Sequence, residues 1–179
     1  MIIYIHGYNS TGLETFGKIK EGIPDSIPMK LIQYDTIDAD VSYKQIMEQL
    51  TPHLDDDILI VGSSLGGFWA NYFACKYAYR MVLINPATQP HISLKKYQEN
   101  TDSFLSYEKI INERLEHCSN VCYRTLILGL QDEVLDPRET LEYYERFHPK
   151  IYTFAQEKHR FKDFNPINKI IRKIYNTYY

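Results

Sequence analysis

Residues 58–70 of this 179-residue chain read ILIVGSSLGGFWA. Four apolar residues, three of them β-branched, run into Gly62-Ser63-Ser64-Leu65-Gly66-Gly67, and an aromatic run of helical character follows. The pattern predicts a strand over Asp57–Gly62, a sharp turn, and a helix over Gly66–Tyr77. Aligned as G-x-S-x-G, the segment puts Ser64 at the centre of the turn, with its oxygen exposed above the sheet edge. Small residues two before and two after are required because strand and helix backbones come very close there. Ser63, in the x position, is expected to point aside. A phosphate-binding glycine turn or a plain βα turn is the competing reading, since the bare motif recurs by chance. The placement between an apolar strand and an amphipathic helix favours a nucleophile.

Outward from this junction the same alternation repeats. Strands are predicted at Ile2–Ile5, Met29–Tyr34, Met81–Asn85, Tyr123–Gly129 and Lys150–Phe154. Helices are predicted at Leu13–Gly22, at Tyr43–Leu54 with Ser42 as N-cap, at Tyr107–Cys118, from Pro137 to about Phe147, and at Ile167–Tyr178. Six strands separated by helices imply a mostly parallel sheet covered on both faces, a three-layer α/β/α sandwich, because parallel strands need long crossovers. The whole chain reads as one domain, and no repeat, linker or low-complexity tract interrupts it. Ligands of such sheets bind beyond the carboxyl ends of the strands, which is where the Ser64 turn falls.

Composition narrows the field. A net charge of −3 without a basic block argues against nucleic acid as a partner. No apolar run approaches the length of a membrane span, and no signal peptide is visible, so a cytoplasmic location is expected. The cysteines, Cys75, Cys118 and Cys122, form no metal-binding spacing. Cys75 reads as a small core residue, and nothing calls for a disulfide. The sixteen tyrosines are expected at core edges, ring buried and hydroxyl wet.

A serine hydroxyl needs a base, and the base an orienting acid. LILGLQDEVLD (126–136) places Asp132 just past the fifth strand, and YTFAQEKHRF (152–161) places His159 just past the sixth. The chain order Ser64, Asp132, His159 is that of α/β-hydrolases. Asp136 is an alternative acid or a helix cap, and His6 a rival base. His6-Gly7 turns the chain after the first strand, so the backbone N–H of Tyr8 and that of Leu65 are candidates for an oxyanion hole.

YIHGYNS (4–10), VGSSLGGFWA (61–70), LINPATQP (83–90), GLQDEVLDPRETLEYY (129–144) and HRFKDFNPI (159–167), in this order, resemble the YqiA/YcfP-type small bacterial esterases of the α/β-hydrolase superfamily. The resemblance implies a minimal α/β-hydrolase fold and a serine esterase acting on small acyl esters or thioesters such as acyl-CoA. It carries the nucleophile onto Ser64, the acid onto Asp132, the base onto His159 and the oxyanion N–H groups onto Tyr8 and Leu65, with no cofactor and no metal. Relatives often have glycines before the catalytic histidine, where this chain has Gln156-Glu157-Lys158. Residues 88–120 lie where hydrolases insert a short cap. An acyltransferase on the same triad, or a binding protein that kept the fold and lost the chemistry, are the alternatives.

Overall fold

The computed structural model describes residues 1–95, 102–114 and 123–177. Its six strands are β1 (Ile2–Ile5), β2 (Met29–Ile32), β3 (Leu59–Ser63), β4 (Arg80–Ile84), β5 (Arg124–Gly129) and β6 (Lys150–Phe154). They form one all-parallel sheet in the order β2-β1-β3-β4-β5-β6. The helices are α1 (Leu13–Glu21), α2 (Ala39–Leu50), α3 (Leu65–Tyr77), the single-turn α4 (Pro90–Ser93), α5 (Asp102–Arg114), α6 (Pro137–Glu145) and α7 (Asn165–Asn176). The expected three-layer sandwich is the one found.

Side chains alternate across each strand, so the apolar runs supply two cores at once. Ile3, Ile5, Ile60, Leu83 and Leu126 face one side and pack with α2, α3, α5 and α6. Ile2, Tyr4, Val61, Val82 and Ile127 face the other and pack with α1 and α7. Between β1 and β3 the strand order reverses: the chain leaves β1 towards β2 and returns past β1 to β3. Loops leaving the carboxyl ends of β1 and β3 therefore diverge and open a crevice.

Several boundaries differ from the sequence reading. Helix α2 starts one turn earlier than expected, because Asp38 caps it by accepting the Val41 N–H (2.9 Å). Ser42 lies buried inside the helix and donates to the Asp38 carbonyl (2.7 Å). Both residues are good caps one helical turn apart, and periodicity does not choose between them. Helix α5 begins at Asp102 rather than Tyr107, and the expected end at Cys118 lies outside the described residues. It is anchored by Tyr107, whose ring meets those of Phe68 (5.7 Å) and Trp69 (5.8 Å) on α3. Cys75 is half-buried and disulfide-bonded, which corrects the reading of a plain core thiol. Helical spacing shows which way a cysteine faces, not what meets it. Tyr4, Tyr107 and Tyr144 are almost wholly buried, hydroxyl included, rather than wet at the tip. Among the described residues, no helix is long and apolar enough to cross a membrane.

Candidate active site

The β3–α3 turn brings two backbones together more closely than side chains allow. A Cβ on Gly62 would fall on the Gly66 carbonyl, and one on Gly66 would fall on the carbonyls of Ile5 and His6. Ser64 takes the apex with φ 53° and ψ −122°, a sparsely populated conformation that costs about 1–3 kcal/mol for a non-glycine residue. Backbone hydrogen bonds offset that cost. The Ser64 N–H donates to the Ile84 carbonyl (3.0 Å), and its own carbonyl accepts from Gly67 and Ala87 (2.9 Å each). The strained residue is thus clamped to β4 and α3, and its side chain points above the sheet.

Two later loops bring the other expected residues to it. His159 Nε2 lies 3.1 Å from Ser64 Oγ, and His159 Nδ1 lies 2.8 Å from Asp132 Oδ2. The Asp132 side chain is 2% exposed, and its second oxygen accepts from the N–H groups of Val134 and Leu135 (2.8 Å each). The carboxylate is thereby fixed as an acceptor, which requires the proton on Nδ1 and leaves Nε2 free to accept from the serine. The rival acid, Asp136, is the N-cap of α6, accepting from Arg138. The rival base, His6, is 1% exposed, its ring tilted against that of Tyr34 at 4.6 Å, and does not line the cavity over Ser64.

Sequence reasoning missed the residue that sets these two loops against each other. Asn85, at the end of β4, is buried in a left-handed conformation (φ 40°). Its amide nitrogen donates to the carbonyls of Lys158 and His159 (3.0 Å each), and its amide oxygen accepts from the Gly129 N–H (2.8 Å). One side chain therefore ties the His159 loop to the end of β5, three residues before Asp132. The only signal in the sequence was Asn before Pro, which reads equally well as a strand terminator.

The loop after β1 passes close beside Ser64: a Cβ on Gly7 would stand 3.1 Å from the serine Cβ. His6 Nδ1 lies 2.9 Å from the Gly7 carbonyl, so Nδ1 carries the hydrogen. That carbonyl and the Tyr8 N–H belong to one trans peptide, in which the two point in opposite directions. Holding the carbonyl on His6 fixes the direction of the Tyr8 N–H. The Tyr34 hydroxyl donates to the His6 carbonyl (2.7 Å), securing the turn from behind. Burial pushes the His6 pKa down, which keeps the ring neutral. Leu65 opens α3, and the N–H groups of a first helical turn have no carbonyl within the helix to bond. Tyr8 and Leu65 both line the cavity that opens over Ser64 and His159, whose volume is about 480 Å³. Ser93 and Leu94, from α4 and the residue after it, form part of another wall. Among the described residues, no group of three or more His, Cys, Asp or Glu is placed to hold a metal ion.

Comparison with known proteins agrees with this architecture. Residues 1–175 match the model of the Uncharacterised protein family (UPF0227). The chain belongs to that family. It is 31% identical over 175 residues to a UPF0227 protein of Pectobacterium atrosepticum, covering 93% of each chain. Among solved structures it resembles alpha/beta hydrolase domain-containing protein 10 from mouse (TM-score 0.65, 20% identity, 98% of this chain and 88% of that one). It also resembles a methylesterase from Arabidopsis (TM-score 0.69, 14% identity, 98% of each chain). The fold is that of the α/β-hydrolases, as the sequence resemblance implied.

Proposed function

We propose that this UPF0227 chain is a serine hydrolase of small acyl esters or acyl thioesters, working through Ser64, Asp132 and His159. The observation that carries the proposal is the unbroken chain from Ser64 Oγ through both nitrogens of His159 to a buried carboxylate, at 3.1 and 2.8 Å. In this reading Ser64 attacks the acyl carbonyl while His159 Nε2 takes its proton. Asp132 holds the imidazole by Nδ1–H and stabilises the imidazolium. The N–H groups of Tyr8 and Leu65 bind the oxyanion of the tetrahedral intermediate; losing one such donor typically costs on the order of 10²–10³ in rate. His159 then protonates the leaving alcohol or thiol, and a water activated by the same nitrogen hydrolyses the acyl-enzyme. Each step uses side chains and backbone of this chain, with no metal or cofactor. Ser93 and Leu94 cover one side of the cavity.

The test is Ser64→Ala beside the unmodified protein, assayed on short p-nitrophenyl esters and acyl-CoA thioesters, with a fluorophosphonate probe as a second readout. The proposal expects kcat to fall by at least about 10⁴-fold and labelling to vanish while the melting temperature holds. Full turnover in the alanine variant would refute it.

A further inference from the structure

The proposed triad leaves a group of hydroxyls in its own cavity unused. Tyr4 lies in β1 opposite Val61, and Ser63, two residues further along β3, projects to the same face of the sheet. The Tyr4 hydroxyl is 2.6 Å from Ser63 Oγ, and the Thr15 hydroxyl on α1 stands beside it. All three residues line the cavity over Ser64. Each hydroxyl carries one proton, and the Tyr4–Ser63 contact uses one of that pair's two, so an O–H is left over, on Ser63 or on Tyr4 beside Thr15. Leu13, Ile84, Phe161 and Phe164 give the lining between α1 and the 159–164 loop an apolar part, beside the charged Glu14, Lys18 and Arg160. The Tyr4 ring is 1% exposed among aliphatic neighbours and stacks at 6.3 Å on Phe16, packing that a phenylalanine would satisfy equally well. Burial pushes the Tyr4 pKa up to about 12, so the row stays neutral.

Resting on the Ser64 reading of the site, we propose that the Ser63–Tyr4–Thr15 row is a substrate-recognition subsite. It selects esters that carry a hydroxyl or keto oxygen on the arm entering between α1 and the 159–164 loop. The row can reverse its hydrogen-bond direction, so it both donates and accepts, as a hydroxyl does. A plain hydrocarbon arm covers the leftover O–H and strips its water without replacing it, which disfavours that substrate. Discrimination of this kind comes from the polar group a wrong substrate leaves unpaired, not from size.

The experiment uses matched ester pairs, one plain and one hydroxylated, with the hydroxyl stepped along the acyl chain in one series and along the alcohol in a second. Each rate is normalised to that ester's hydroxide-catalysed rate. At one position the unmodified protein is expected to prefer the hydroxylated ester by about tenfold in kcat/KM. The series in which this occurs identifies the arm. Tyr4→Phe and Ser63→Ala are each expected to bring that ratio towards one. A ratio near one at every position in the unmodified protein overturns the inference. So does an equal loss on both members of a pair in the variants, which is what a purely structural hydroxyl pair produces. A preference for a carboxylate at the same position also overturns it, assigning the arm to Lys18 and Arg160 at its mouth instead. Hydrolysis of no ester, together with no fluorophosphonate labelling, sinks the serine-hydrolase reading itself and is distinct from all of these.

Discussion

Asn85 offers the sharpest test of how the site is held. Asn85→Asp keeps a side chain suited to the left-handed backbone at φ 40° and keeps an oxygen for the Gly129 N–H. It removes both donations to the carbonyls of Lys158 and His159 and turns a carboxylate oxygen towards them. Two hydrogen bonds at about 0.5–1.5 kcal/mol each, plus the repulsion, amount to about 2–4 kcal/mol. For a chain of this size that lowers the melting temperature by about 4–16 °C. The kinetic effect is expected in kcat more than KM, because the cavity walls remain while the imidazole loses its tether. A displacement of about 1 Å is enough for a 10²-fold loss. Asn85→Ala also strands the buried Gly129 N–H and loses the tolerance of that left-handed backbone which asparagine has and alanine lacks, so it should melt lower still. The assays are thermal unfolding and steady-state kinetics on a short ester. If Asn85→Asp melts as calculated yet keeps kcat within about twofold, the tether has no part in placing His159.

Three further outcomes follow from other parts of the structure. Burial lowers the His6 pKa below its ordinary 6.5, so the unfolded chain binds this proton more readily than the folded one. The stability His6 contributes is complete above pH 6.5 and is lost as the pH falls towards the depressed folded value. His6→Asn, which retains a donor for the Gly7 carbonyl, should melt with a shallower acid slope between pH 5 and 7; identical slopes would contradict the assignment. Gly66→Ala is expected to cost about 3 kcal/mol or more, read by denaturant unfolding, because the new methyl meets the carbonyls of Ile5 and His6 rather than a yielding side chain. Asp132→Asn should fold and bind ester but lose about 10⁴-fold in kcat, since the amide permits the wrong imidazole tautomer; a mild loss would point to another acid.

The order of elements, the parallel sheet and the Ser64 turn were legible in the primary structure because each is a local consequence. β-Branched runs make strands, small residues permit the close turn, and parallel strands require crossovers. Asp132 and His159 were legible for a related reason: a residue just past a strand in such a sheet arrives at the edge where the other strands end. The two faces of the sheet were not separable by pattern, since strands buried on both sides are apolar at every position. The start of α2 was ambiguous between Asp38 and Ser42, two good caps one turn apart. The three contacts of Asn85 and the hydroxyl pair of Tyr4 and Ser63 each join residues far apart along the chain. Composition and periodicity carry no record of such pairings. The amino-acid order by itself determined which residues stand at the sheet edge. Only the folded chain decided which of them touch, because register and twist set distances of a few ångströms that no local propensity encodes.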